Sequence, residues 1–326
     1  MLPAFSYVRA RSVDEALTLL ARPGARAHAG GTDVMGCLRD RVYGATSLVS
    51  LGGLTDLRGM TPASDGSLRI GALTPIADLA AAAPVAERYR ALSMAASLVA
   101  SPQLRNQGTV GGNLCQRPRC WYFRGEYDCA RKGGSQCYAI SGDNRFHAIF
   151  GGDGCYMVHP SDTAPAFIAL GASVRIHGPK GTRVVPAETF FVSPGKDVTR
   201  ETVVEPGELV TEVVLPPARP GLVSAYRKVR ARGSWDFALA GAAVAVTVRD
   251  GTVETARIVL SGVAPVPWRA TAAEHALVGQ KLDGKTITAA AEAASAKAEV
   301  MEHNGYKVAL VRGVVAEALE ALVGPA

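Results

Sequence analysis

The chain has 326 residues, 48% of them hydrophobic and 20% charged, with a formal net charge of +6. Those values exclude a disordered chain, a collagen-like repeat and a small disulfide scaffold, and the length allows about two domains. No window approaches 18 uninterrupted apolar residues, so no membrane span is expected, and no long Lys/Arg run concentrates the charge, so no nucleic-acid partner is expected.

In chain order, Phe5 to Val8 reads as a short strand, and Ser12-Val13-Asp14-Glu15 as a capping box before a helix over Ala16 to Leu20. Arg26 to Ala29 reads as a second strand, Gly30 to Asp33 as a turn, and Val34 to Arg41 as a helix. Ser47 to Leu51 and Leu68 to Ala72 read as further strands, giving the rhythm of an α/β region. Helical pattern runs over Thr74 to Ala83 and Val85 to Ala100. Residues 114–156 have no period at all. A short helix over Pro165 to Leu170 and a strand over Ser173 to His177 follow, and the PPARP stretch at 216–220 marks a linker. Beyond it, Ser224 to Arg230, Ala240 to Arg249 and Thr255 to Ser261 read as strands, with Asp250-Gly251 as a hairpin turn. Helices over Ala270 to Val278, Thr286 to Val300 and Lys307 to Leu322 close an α+β region.

Two glycine turns carry chemistry. One is Ala29-Gly30-Gly31-Thr32-Asp33-Val34; the other is Thr109-Val110-Gly111-Gly112-Asn113. Tandem glycines admit positive φ and bring several N–H groups to one anion, so the pair could cradle a pyrophosphate. Neither has the GxGxxG or GxxxxGK[ST] spacing of the common nucleotide folds. A tight structural bend is the other reading.

The aperiodic stretch holds five of the six cysteines: Cys115, Cys120, Cys129, Cys137 and Cys155, with Cys37 standing apart as a small buried hydrophobe. No CxxC pair occurs, and a chain lacking a secretory signal pattern makes a disulfide framework improbable. A thiolate-held metal centre, iron–sulfur or zinc, would offset the ordering cost of so long a loop. Arg117, Arg119, Arg124, Arg131, Lys132 and Arg145 outnumber its acidic residues, which suits an anionic cluster. A basic surface loop with incidental thiols is the plain alternative.

AGGTD near position 30, TVGGN near 110, His159-Pro160-Ser161-Asp162 and Tyr226-Arg227-Lys228-Val229-Arg230 together resemble the FAD-binding medium subunits of the xanthine dehydrogenase and carbon monoxide dehydrogenase family, the molybdenum hydroxylases. The resemblance runs through nearly the whole chain. NLCQRPRCWYF and YRKVRARGSWDFAL are most similar to its bacterial aldehyde oxidoreductase branch, and the cysteine insertion is shared with 4-hydroxybenzoyl-CoA reductase. The resemblance implies an α+β chain. A vanillyl-alcohol-oxidase-like FAD domain of two α/β subdomains spans residues 1–216, with the insertion at about 114–156, and a C-terminal α+β domain spans 221–326. It implies that Ala29, Gly30, Gly31, Thr32, Asp33 and Val34 form the first pyrophosphate turn and Thr109, Gly111, Gly112 and Asn113 the second. Asp162 would bind the ribityl or adenosine part, and Leu209 and Lys228 would stand near the isoalloxazine. Cys120, Cys129, Cys137 and Cys155 would ligate a 4Fe–4S cluster, leaving Cys115 over.

The implied function is electron transfer within a heterotrimer. A large subunit carries the molybdenum cofactor, a small subunit carries 2Fe–2S, and an external acceptor (ferredoxin, quinone or oxygen) takes the electrons. The implied compartment is the cytoplasm, or the periplasm by co-export with a signal-bearing partner. A xanthine dehydrogenase-like complex, a stand-alone flavin oxidase and a zinc-stapled non-redox binding module are the competing readings.

Overall fold

A computed structural model describes residues 2–323. The chain opens with strands β1 (Ser6–Arg9) and β2 (Ala25–His28) on either side of β3 (Ser47–Ser50), all parallel, with Tyr7 opposite Leu48 and Ala27 opposite Val49. Helices α1 (Val13–Leu20) and α2 (Val34–Arg39) make the crossovers that parallel strands need. Ser12 Oγ accepts from Glu15 N at 3.1 Å, while the Glu15 carboxylate accepts from Arg11 N at 2.7 Å, so the box expected at Ser12 closes one residue earlier. Leu17, Leu19 and Leu20 of α1 pack with Val49 and Leu51.

The second sheet is antiparallel, in the order β4-β5-β8-β6-β7: β4 (Met60–Pro62), β5 (Leu68–Gly71), β6 (Ser173–Gly178), β7 (Gly181–Pro186) and β8 (Leu209–Leu215). The two helical runs expected over 74–100 are three helices, α3 (Ile76–Ala81), α4 (Ala83–Arg88) and α5 (Arg90–Ser97). Pro84 in the first turn of α4 offers no N–H to continue a ladder, and Tyr89, at φ −135°, leaves helical geometry before α5. Helices α6 (Pro102–Gln107) and α7 (Val110–Leu114) lead into the insertion, α8 (Trp121–Arg124) lies within it, and α9 (Thr163–Ala169) and α10 (Ala187–Phe190) follow it.

The last sheet, β12-β11-β10-β9, is antiparallel: β9 (Leu222–Val229), β10 (Ala240–Arg249), β11 (Thr252–Ser261) and β12 (Trp268–Arg269). Asp250 and Gly251, at φ 50° and 76°, make the two-residue turn joining β10 to β11. Strand β10 is buried on both faces because each side is covered. Ala243 and Ala245 join a core with Leu92 of α5 and Phe167 of α9. Val244 and Val246 join a second core with helices α11 (Thr271–Leu277), α12 (Gly284–Ser295) and α13 (Tyr306–Val323).

Candidate functional site

The two glycine turns meet. A Cβ built on Gly30 would lie 1.8 Å from the carbonyl oxygen of Gln107, at the entry to the second turn, so only glycine lets the two backbones approach this closely. Gly31 sits at φ +74°. The main-chain N–H groups of Gly30, Gly31, Thr32 and Asp33 have no acceptor among the described residues. The second turn differs. Val110 N donates to Thr74 O at 3.0 Å and Gly111 N to Ala72 O at 2.8 Å, and Gly112 N donates to Thr109 Oγ1 at 3.2 Å. Of the two turns, the first presents its amides and the second supplies a bare wall.

Two clefts flank this junction and share Thr32, Asp33, Thr109 and Gly112 as their rim. The larger, about 280 Å³, is lined by Ala29, Gly30, Gly31, Val34, Gly111 and Leu209. The smaller, about 190 Å³, is lined by Asn113 and Asp162, with Trp235 and Phe237 at its wall. Asn113 Oδ1 accepts from Ser161 Oγ at 2.5 Å and Thr163 Oγ1 at 2.7 Å, which joins the second turn to the HPSD segment. Asp162 is buried. Its Oδ1 accepts from Tyr226 Oη at 2.8 Å and its Oδ2 from Lys228 Nζ at 2.7 Å. Burial pushes the Asp162 carboxyl up and the Lys228 ammonium opposes that shift. Lys228 lines neither cleft; its ammonium is spent on Asp162 and on the carbonyls of Leu98 and Asp236.

Residues 114–156 fold into turns around a small cavity lined by Cys120, Cys129, Cys137 and Cys155 together with Arg131. Cys115 faces the larger cleft instead, and Cys37 is buried in α2. All six are free thiols. Tyr122 and Tyr138 also line the cavity, their rings 6.2 Å apart centroid to centroid, and the more exposed Tyr127 packs on Tyr122 at 5.0 Å. Burial pushes the Cys120 thiol up to about 12 and raises Cys137 as well, so both stay protonated unless a metal draws the protons off. Arg131 Nε donates to Cys155 Sγ at 3.4 Å, and its buried Nη2 has no partner, leaving a donor for an anion in this cavity. Among the described residues no group of three or more His, Cys, Asp or Glu stands close enough together to hold a metal ion. Four thiols around one cavity, with the Arg131 guanidinium beside them, are the kind of donor set a thiolate-held centre uses.

Two carboxylates that no motif singled out for this task tie the insertion down. Asp33 Oδ1 pairs with Arg119 Nη1 at 2.9 Å and Arg124 Nη2 at 2.8 Å, and its Oδ2 accepts from Arg117 N at 2.8 Å. Glu201 pairs with Arg131 at 2.7 Å and Arg117 at 2.9 Å. The excess of arginines was legible; their neutralisation from outside the insertion was not, because Glu201 lies 45 residues beyond its end in an irregular stretch. His159 is a buried structural residue. Its Nδ1 accepts from Ser161 N at 3.4 Å, and burial holds its pKa down at about 3.

Residues 3–218 match the family model of the FAD-binding domain in molybdopterin dehydrogenase, and residues 224–322 that of the CO dehydrogenase flavoprotein C-terminal domain. The chain is 39% identical to the aldehyde oxidoreductase FAD-binding subunit PaoB of Escherichia coli (strain K12), over 98% of each chain. It is 31% identical to the carbon monoxide dehydrogenase medium chain of Hydrogenophaga pseudoflava, over 98% of this chain and 97% of the other. A solved structure of carbon monoxide dehydrogenase from Hydrogenophaga pseudoflava superposes with a TM-score of 0.79 at 31% identity, covering 99% of this chain and 98% of that one. Quinoline 2-oxidoreductase from Pseudomonas putida 86 superposes with a TM-score of 0.77 at 25% identity, covering 99% and 98%. With both family models matched in order and relatives of 30% identity or more covered almost end to end, the chain belongs to the FAD-binding medium subunits of the molybdenum hydroxylases, the family of the xanthine and carbon monoxide dehydrogenases.

Proposed function

We propose that this chain is the FAD- and 4Fe–4S-containing electron-transfer subunit of a three-subunit molybdenum hydroxylase, an aldehyde oxidoreductase. Its partners would be a molybdenum-cofactor large subunit and a 2Fe–2S small subunit, and its acceptor a ferredoxin, quinone or oxygen. Residues 1–216 would form the FAD-binding domain and 221–326 the C-terminal domain. The similarity to PaoB supports the aldehyde branch. The observation that carries the cluster is that four of the five insertion cysteines, and no others, line one cavity.

A flavin supplies two-electron chemistry and an iron–sulfur cluster one-electron chemistry when bound; the chain's own residues position and insulate them. The free amides of Gly30, Gly31, Thr32 and Asp33 would take the diphosphate at the neck shared by the two clefts, with Thr109, Gly111 and Gly112 as the opposite wall. Asn113 and Asp162 would contact whatever part of the cofactor enters the smaller cleft, and Leu209 the part that enters the larger. Lys228 and Tyr226 hold the Asp162 carboxylate in place. Cys120, Cys129, Cys137 and Cys155 would hold the cluster, with the buried Tyr122 and Phe123 packed beside it.

Cys129→Ser tests the assignment. The expected result is loss of the iron–sulfur absorbance and EPR signal with FAD largely retained, because Cys129 lines only the thiol cavity. Iron content equal to that of the parent chain would overturn it.

A further inference from the structure

Asp33 stands in the turn that offers its amides to the diphosphate, yet its carboxylate points the other way. Oδ1 is shared by Arg119 and Arg124, at 2.9 and 2.8 Å, and Oδ2 accepts the main-chain N–H of Arg117 at 2.8 Å. Both oxygens are thus committed to the insertion. The three residues they hold surround Cys120 in sequence: Arg117 and Arg119 before it, and Arg124 at the end of α8, the helix that starts directly after it. Arg124 carries the grip further. Its Nε donates to Pro118 O at 2.7 Å, and its main-chain N–H donates to Cys120 O at 2.9 Å. At the other end of the cavity Glu201 does the same work through Arg131, which donates to Cys155 Sγ at 3.4 Å.

This arrangement also balances charge. Arg117, Arg119, Arg124 and Arg131 bring four positive charges to the neighbourhood of the thiols, and Asp33 and Glu201 return two negative ones. Asp33 and Arg124 are mostly shielded, with side chains 17% and 11% exposed, so solvent screens this pairing less than a surface ion pair.

We propose that the Asp33 carboxylate is a positioning and charge-balancing residue for the Cys120 side of the thiol site, not a ligand of the flavin, and that Glu201 has the matching role on the Cys155 side. The diphosphate turn and the cluster-bearing insertion are in this way one mechanical unit, joined through a single side chain. The proposal rests on the cluster reading above.

The test uses the assembled protein, purified anaerobically, with flavin content, iron content and the cluster midpoint potential (redox titration followed by EPR) read for each variant. In Asp33→Asn the carboxylate charge is gone, leaving Arg119 without its partner and Arg124 with only the more distant Asp40, at 3.9 Å. Extra positive charge favours the more negative, reduced cluster, so the midpoint potential is expected to rise and the EPR line shape to change, with flavin content within about a fifth of the parent. Glu201→Gln is expected to move the potential in the same direction. In the double variant Asp33→Asn/Arg124→Gln, which removes one charge of each sign, the potential is expected to return most of the way to that of the parent. Loss of flavin with an unchanged cluster signal in Asp33→Asn would return the carboxylate to the flavin and overturn the proposal, as would an unchanged potential in both single variants. If Asp33→Asn loses its cluster altogether, an intact cluster with a shifted potential in Glu201→Gln still supports charge balance, and an unshifted one refutes it. A parent protein without iron would instead refute the cluster reading itself.

Discussion

Gly30 shows how one residue type can decide a site. Its backbone lies so close to Gln107 that any side chain must push the turns apart. Gly30→Ala is expected to destabilise the fold by about 1–3 kcal/mol, as overpacking does, and to lose flavin more than stability, since both clefts open onto this junction. Flavin content and thermal unfolding check this, with Gly44→Ala, which meets nothing within 4 Å, as the neutral control. Lys228 is the second decisive residue. Lys228→Met strands the Asp162 carboxylate in the interior with only Tyr226, at a cost of roughly 3–5 kcal/mol measurable by denaturant titration. His159 sets a pH dependence. Its folded pKa of about 3 lies below the ordinary 6.5, so its neutral form belongs to the fold. The associated stability is complete above about pH 6.5 and is lost as the pH falls toward 3, at about 1.4 kcal/mol per pH unit. His159→Gln is expected to flatten that slope in melts between pH 7 and 5.

At the scale of elements, most strands and helices were legible, although β4, β7 and β8 were not, and of the connections the short glycine turns were legible and the long ones were not. The β10 to β11 hairpin was readable because Asp250-Gly251 permits two positive φ values between apolar runs. Strand β7 escaped because it is an exposed edge whose side chains face solvent in large part, leaving no two-residue apolar alternation. The insertion was legible as a place where period fails and thiols gather. Its anchor on the C-terminal helix was not, since that depends on a contact between segments some 160 residues apart. Lys307, at the start of α13, donates to Phe146 O at 3.0 Å and Gly262 O at 2.7 Å, and Asn304 Nδ2 donates to Ala148 O at 3.1 Å. Lys307→Met leaves two carbonyls without that donor, at about 1–3 kcal/mol each. The expected signature is faster amide exchange over residues 144–148, measured by hydrogen–deuterium exchange; an unchanged pattern there would remove α13 as the anchor.

Across the whole molecule, the smaller of the two clefts depends on the C-terminal sheet. Tyr226 and Lys228 of β9 reach across to Asp162, and Ala243, Ala245 and Val259 complete the core around α5 and α9. The pattern of strands followed by helices revealed that a second region exists; that it finishes the first region's site could be seen only with the sheet in place. In the function proposed above, the glycine turn and the thiol cavity on the two sides of Asp33 would form a short protein link between a two-electron and a one-electron centre. The most direct measurement is iron, sulfide, zinc and flavin analysis of the anaerobically purified protein, with EPR after reduction. The account predicts one flavin and about four irons with matching sulfide per chain, and an EPR signal of a reduced four-iron cluster. Zinc in place of iron, or flavin with four unligated thiols, would contradict it.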